Sequence, residues 1–525
     1  MDFDVVVIGS GFGGSITACR LAQKNKRVLV LERGKEWTKD TYPRAITDEW
    51  IWSQEHPEKH HGWTDLRVFK GMAVITGAGV GGGSLIYANV SAVPPKSVFQ
   101  AGWPAEITLD ELQPYYATVA DVLDLQQVPQ NQWSPRVQLM RQGATNLNQG
   151  NRFRPADIAV SFDPNLQYDF NTEPDIAKSK PFINKHGAEQ GTCAQLGECD
   201  IGCRVYAKNA LDKNYLFLAR KSGAEVRPLH MVTNLQPIAG GYRVYHDELS
   251  TGARVSSSTT AAAVIVAAGS LGSTELLLRC RDVTKTLPSL SPFLGRGWSS
   301  NGDFLTPAFY LHQNVWPDRG VAIGSVIDYL DGSVNGKTFW IQDGVIPNVV
   351  NKYFEAIMHR VHEVPEESHL LPQFNMQSLL QHMTLLSANL DVFKHIMPWF
   401  AQGVDAGNGE LGLSNGSLDL KWDLQQSLPM FEAIMQKHNE LAKATNGHPF
   451  PLPTWLLGHE LITPHPLGGC TMGDSAAQGV VDHKGKVFGY DNLYVADGAI
   501  IPRPLGVNPS RTIGALAERI AVLIP

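Results

Sequence analysis

Cysteine is scarce in this chain, with six in 525 residues. That excludes a disulfide framework as the source of the fold. No apolar run reaches the roughly 20 residues that a membrane-spanning helix needs, so no transmembrane segment is expected. Positive charge is neither abundant nor clustered: 44 Lys and Arg stand against 51 Asp and Glu, a net charge of −7. Proteins that bind nucleic acid neutralise phosphates with a basic patch, so no nucleic-acid partner is expected. Internal repeats and low-complexity blocks are also missing. The first strand signal starts at Asp4, leaving no room for a secretory leader, and a cytoplasmic protein is expected unless a leader has been removed. The remaining composition, 43% hydrophobic and 18% charged, is that of a globular chain long enough for two or more domains.

Glycine, by contrast, is plentiful and placed with purpose. The run Asp4-Val5-Val6-Val7-Ile8 reads as a buried strand. Gly9, Gly11 and Gly14 follow at G-x-G-x-x-G spacing, and Ser15 to Gln23 reads as a helix. A second strand, Arg27 to Leu31, ends in Glu32. In this pattern Gly9 permits the tight turn, Gly11 admits a pyrophosphate to the backbone, and Gly14 lets helix pack on strand. The phosphates sit on the helix N-terminus, where free N–H groups and the dipole favour negative charge. Glu32 stands where its carboxylate can accept hydrogen bonds from an adenosine ribose. These residues together predict a dinucleotide site.

Further along, the segment with Trp37, Trp50, Trp52, His56, His60, His61 and Trp63 reads as an irregular surface excursion. The glycine run from Gly77 to Gly83 implies backbone pressed against a flat or phosphorylated group. Thr108 and Glu111 have capping-box spacing and predict a helix with Leu112, Tyr115, Tyr116, Val119 and Leu123 on one face. Residues 126–190 show no clear period. A helix is expected from Lys208 to Arg220, strand again from Glu225, and a β-meander from Tyr242 to Val255. Ala261 to Ala268 reads as a strand buried on both faces. The mixed apolar stretch from Leu370 to Phe400 reads as second-core packing or as the wall of an apolar pocket. Cys193, Cys199 and Cys203 form C-x5-C-x3-C, which is either a buried thiol turn or a set of thiolates able to hold an iron–sulfur cluster. The last helix, ending near Ile524, carries Ile513, Leu516, Ala517, Ile520 and Leu523 on one face.

Taken together, Gly9 to Glu32, Gly79 to Val90, Cys193 to Leu216, Val264 to Ser273 and His465 to Ile520 resemble the glucose–methanol–choline (GMC) flavin oxidoreductases, and within them the cholesterol oxidase branch with non-covalent FAD. The resemblance implies FAD as the cofactor. Gly11, Phe12, Gly13 and Glu32 would meet its ADP half, and the backbone at Val232 the adenine edge. Gly83 to Val90, with Asn89 among them, would line the pyrophosphate and flavin. Asp497, Gly498, Asn508 and Ser510 would meet the ribityl chain and ring. The chain departs from the branch at Tyr87, where the cholesterol oxidases carry Asn.

Oxidation of an alcohol on a flavin needs a hydride to leave carbon for N5 and a proton to leave oxygen. A histidine, titrating near neutrality, suits the proton. His465 and Asn508 each precede a proline, which restricts the backbone and helps aim the side chain. His465 is the expected base and Asn508 the group that positions the hydroxyl, as the resemblance also implies. A carboxylate base in the substrate domain, implied by the same branch, is not assigned; Glu363, Glu366 and Glu367 read as a solvated turn. The expected architecture is α/β, α+β overall. A Rossmann-like FAD-binding domain (1–102, 191–310 and 456–525) carries an inserted substrate domain of mixed sheet and helices (103–190 and 311–455). The expected partners are a fairly apolar alcohol, with sterols among the candidates, and dioxygen or another electron acceptor. A dehydrogenase using a different acceptor, a non-redox lyase on the same fold and a silent flavin-binding protein stay open.

Overall fold

The computed structural model describes residues 1–350 and 392–525. The β-branched run at the N-terminus forms the strand Phe3–Ile8, which lies between two parallel neighbours, Val28–Leu31 and the C-terminal half of Val255–Val266. Hydrophobic side chains on both faces explain why it is central. The full sheet has seven strands and is closed on one side by Glu225–Arg227. The long strand Val255–Val266 changes partner along its length. Its first half pairs antiparallel with Gly241–Glu248, continuing the meander to His230–Ile238, and its end pairs parallel with Leu493–Val495. The C-terminal segment thereby joins the N-terminal sheet. The helices Phe12–Gln23 and Ser510–Leu523 pack together over it.

A second sheet of six antiparallel strands holds Phe304–Phe309, Ile396–Gly403, Lys337–Asp343 and Ser325–Val334 at its centre. The helix Leu428–Ala444 covers it with Met430, Phe431, Ile434 and Leu441. A third, three-stranded sheet sets Leu461–Thr463 beside Met72–Gly77 and Thr64–Phe69. It brings the stretch before His465 against the stretch before the glycine run. Among the described residues no helix is long and apolar enough to cross a membrane.

Several expectations need correction. The tryptophan-rich segment is irregular and largely exposed, as expected, but it is pinned to the protein by aromatic anchors: Trp37, Trp52 and Trp63 are buried, and Trp37 and Tyr42 stack edge-on against Trp63. Large aromatic area removed from water outweighs the irregular backbone. Residues 126–190 contain a helix, Pro135–Asn146, opened by Ser134 as cap and proline at its first position, a signal present in the sequence. The helix expected over 208–220 shrinks to Tyr215–Lys221, because Asn209 and Asn214 spend their amides on backbone groups. The capping box at Thr108 does open a helix, Leu109–Val122. Of the 370–400 stretch, residues 370–391 lie outside the described residues, as do Glu363, Glu366 and Glu367, and its end forms the strand Ile396–Gly403.

Candidate active site

One cavity of about 1510 Å³ runs along the C-terminal ends of the parallel strands, where open α/β sheets bind their ligands. Gly9 to Gly13, Glu32, Gly83, Val232, Asp497, Gly498, His465 and Asn508 all line it. Gly14, Asn89, Val90 and Ser510 stand behind its wall. Ser510 Oγ donates to the Val90 carbonyl at 3.2 Å, tying the last helix to the turn after the glycine run. Gly14 serves packing, as a Cβ there would lie 2.0 Å from the Gly9 carbonyl oxygen. Gly13 has a reason that its place in the motif does not reveal: a Cβ would fall 1.6 Å from the carbonyl oxygen of Ala496, in the C-terminal segment.

The nucleotide end is built from backbone and a few fixed carboxylates. Glu32 accepts from Ser10 N at 3.0 Å, Ser10 Oγ at 2.6 Å and Gly34 N at 2.9 Å, which leaves acceptor capacity for a ribose hydroxyl. Asp497 accepts from Gly269 N, Ser273 Oγ and Ala499 N, and burial still holds its carboxyl above the ordinary range. Two features fit a bound dinucleotide. A Cβ at Gly11 or Gly83 would meet no protein atom within 4 Å, so both backbones open onto the cavity. Asn89, fully buried with φ of 68°, has both amide atoms unpartnered among the described residues. Tyr87, at the position of departure, donates its hydroxyl to the Asn209 carbonyl and packs edge-on against Phe12.

At the other end the turn Ser299–Asp303 organises both expected catalytic side chains. The buried Asp405 carboxylate accepts from Ser299 Oγ, Ser300 N, Ser300 Oγ and Gly302 N and locks this turn. From it, Asn301 accepts from Leu505 N and Gly506 N and donates to the Val507 carbonyl, fixing the loop that carries Asn508. Asp303 contacts His465 Nδ1 at 2.8 and 3.0 Å through its two oxygens. Thr463 Oγ1 is 2.5 Å from Asp303 and accepts from His465 N at 2.9 Å. Burial pushes the Asp303 carboxyl up, while His465 and Thr463 pull it back down. A carboxylate can only accept, so the short contact puts a proton on His465 Nδ1, which donates it to Asp303. Gln402 Nε2, at 3.4 Å from Nδ1, is the weaker neighbour, itself oriented by Trp340 Nε1 at 2.6 Å.

In the neutral ring with its proton on Nδ1, Nε2 carries the lone pair, and it lies 3.5 Å from Asn508 Nδ2, a long contact. Gln342 Nε2 donates to Asn508 Oδ1 at 2.7 Å, so the Asn508 N–H donors are the free ones. A hydroxyl between the two side chains would donate to the imidazole and accept from the amide. Sequence reasoning missed Asp303, Asp405, Gln342 and Gln402, whose roles depend on pairing across long sequence distances. Of the cysteines, Cys193 and Cys199 are buried, and burial pushes the Cys199 thiol up to about 12. Among the described residues no three His, Cys, Asp or Glu side chains converge to hold a metal ion.

Comparison with known proteins gives the family. Residues 427–517 match the GMC oxidoreductase family model, and residues 7–44 match the NAD(P)-binding Rossmann-like domain. The chain is 32% identical to a cholesterol oxidase of Acinetobacter baumannii over 100% of its own length and 94% of the relative. It is 31% identical to a cholesterol oxidase of Mycobacterium tuberculosis (strain H37Rv), covering 100% of the chain and 91% of the relative. In fold it is similar to pyridoxine 4-oxidase from Mesorbium loti, with a TM-score of 0.64 at 17% identity over 99% of both chains. The chain belongs to the GMC oxidoreductase family and is an FAD-dependent oxidoreductase of alcohols.

Proposed function

We propose that the protein oxidises the CH–OH group of a fairly apolar alcohol to a carbonyl, with His465 as the base and Asn508 holding the hydroxyl. The observation that carries this reading is the Asp303–His465 pair, which engages Nδ1 and leaves Nε2 at the cavity wall beside the Asn508 amide. Asn508 Nδ2 donates to the substrate oxygen, and the substrate O–H donates to His465 Nε2. As the proton moves to the imidazole, the Asp303 carboxylate offsets the positive charge that develops there. FAD, held by Gly9 to Gly13, Glu32, Gly83, Val232, Asp497 and Gly498, supplies the hydride acceptor when bound. The wall beyond His465 is apolar, with Leu305, Ile323, Val345, Ile346 and Phe400. It suits a hydrocarbon body, and the cholesterol oxidase relatives place sterols among the candidates. The same relatives favour dioxygen as the terminal acceptor.

The test is anaerobic mixing of purified enzyme with a panel of alcohols from sterols to sugars, followed in the flavin absorption band. Bleaching by apolar alcohols, with peroxide formed on admitting air, is expected. A band that no alcohol bleaches would overturn the reading.

A further inference from the structure

Asp200 differs from the other acids that line the cavity. Glu32 and Asp497 each accept three hydrogen bonds from the protein, while Asp65 and Glu275 are ion-paired with arginines. Among the described residues nothing donates to the Asp200 carboxyl, and its Oδ1 is shielded from solvent without a partner. Its backbone is nonetheless fixed. It lies in the single turn Cys199–Ile201, and its carbonyl accepts from Trp63 Nε1 at 3.3 Å. The nearby cations are committed elsewhere. Lys208 donates to the carbonyls of Leu85, Tyr87 and Cys199 at 2.7–2.9 Å, and Arg136 to Asp343 and main-chain carbonyls.

A carboxylate oxygen shielded from water and lacking a donor is costly, so a fold that retains one at a cavity wall leaves it for a ligand to satisfy. Contacts of its segment put Asp200 beside the apolar wall of the cavity. Leu196 bridges to Gly320, the Cys199 thiol accepts from the Ala322 backbone N–H, and Asp200 lines the cavity together with Ala322 and Ile323.

We infer that Asp200 is a specificity residue that accepts a hydrogen bond from a second donor on the substrate. The preferred substrate is then a largely apolar alcohol carrying a further hydroxyl or an amine, rather than a monohydroxy hydrocarbon. This rests on the alcohol-oxidising reading above.

The test uses the FAD-loaded enzyme and matched substrate pairs: linear alkanols against the corresponding diols and amino alcohols, and 3-hydroxysteroids with and without a second hydroxyl. Wild type is expected to prefer the donor-bearing member of at least one pair. In Asp200→Leu that preference in kcat/KM falls by about 10- to 100-fold, the value of a hydrogen bond to a charged group, and the loss appears in KM. Asp200→Asn, which keeps an acceptor, restores part of it for hydroxyl donors and covers the case in which the leucine variant fails to fold. The inference is overturned if wild type prefers no donor-bearing member or if both variants keep the wild-type preference. It is also overturned if the variants instead alter FAD affinity or the flavin spectrum, since the carboxyl would then serve the cofactor. An enzyme bleached by no alcohol at all would refute the alcohol reading itself, a separate failure.

Discussion

The two large sheets furnish the cavity by different chemistry. The seven-stranded sheet offers strand ends: Ile8 runs into Gly9, Leu31 into Glu32, Val266 into Ala267 and Val495 into Asp497, so that recognition there is made by backbone and glycine. The six-stranded sheet offers side chains from strand interiors. Gln342 orients Asn508, and Gln402, held by Trp340 opposite it in the register, neighbours His465. Backbone recognition needs particular residues at particular local spacings and tolerates little variation. Side-chain recognition needs only that distant segments arrive together, and it leaves the sequence free in between.

That contrast predicts where substitutions hurt and how. The largest effect is expected at Gly13, where even alanine sets a methyl against the Ala496 carbonyl at 1.6 Å. Gly13→Ala should lose FAD-loaded protein almost entirely, read as flavin absorbance per folded polypeptide; normal FAD content would break the claim that backbone approach governs this end. Next comes Asp303→Asn, which conserves shape but removes the charge that fixes the His465 proton. Flavin content should persist while kcat falls by roughly 100- to 1,000-fold, within the range attributed to general-base catalysis.

A third effect separates the two halves by acid stability. Burial holds His438, behind the six-stranded sheet, down to about 3, with its Nδ1 against Thr306 Oγ1. The unfolded chain binds this proton below about pH 6.5, whereas the folded chain refuses it until near pH 3. Stability from this site is therefore complete above pH 6.5 and is lost as pH falls, by about 1.4 kcal/mol per pH unit. Denaturant midpoints measured against pH should flatten over that window in His438→Gln. The smallest effect is expected at Gln342→Leu, which frees the Asn508 amide to rotate and should cost about tenfold in kcat/KM, the value of one hydrogen bond. An equal loss of FAD there would blur the distinction between the sheets.

The same physics explains what the sequence made legible. Gly9, Gly11 and Gly14 announce a phosphate-binding turn because each answers a local steric demand, and the strand and helix around them are contiguous. His465 and Asn508 were readable as candidates because each stands in a motif with a following proline, and both line the cavity. Asp303 was not readable, since its meaning arises from an ion pair spanning 162 positions. Trp63 looked like a loop residue because no periodicity marks it, yet it is among the largest fully buried side chains. The helix Pro135–Asn146 was legible in principle, and its Ser-Pro start was lost among polar neighbours.

The central claim is that His465 takes the substrate proton from a position set by Asp303. Its most direct test is the single-turnover rate of flavin reduction by an excess of a reactive alcohol, compared between wild type and His465→Ala at equal FAD content. The rate in the variant should fall by at least about 100-fold while the flavin stays bound. A variant that reduces its flavin at close to the wild-type rate would contradict the account.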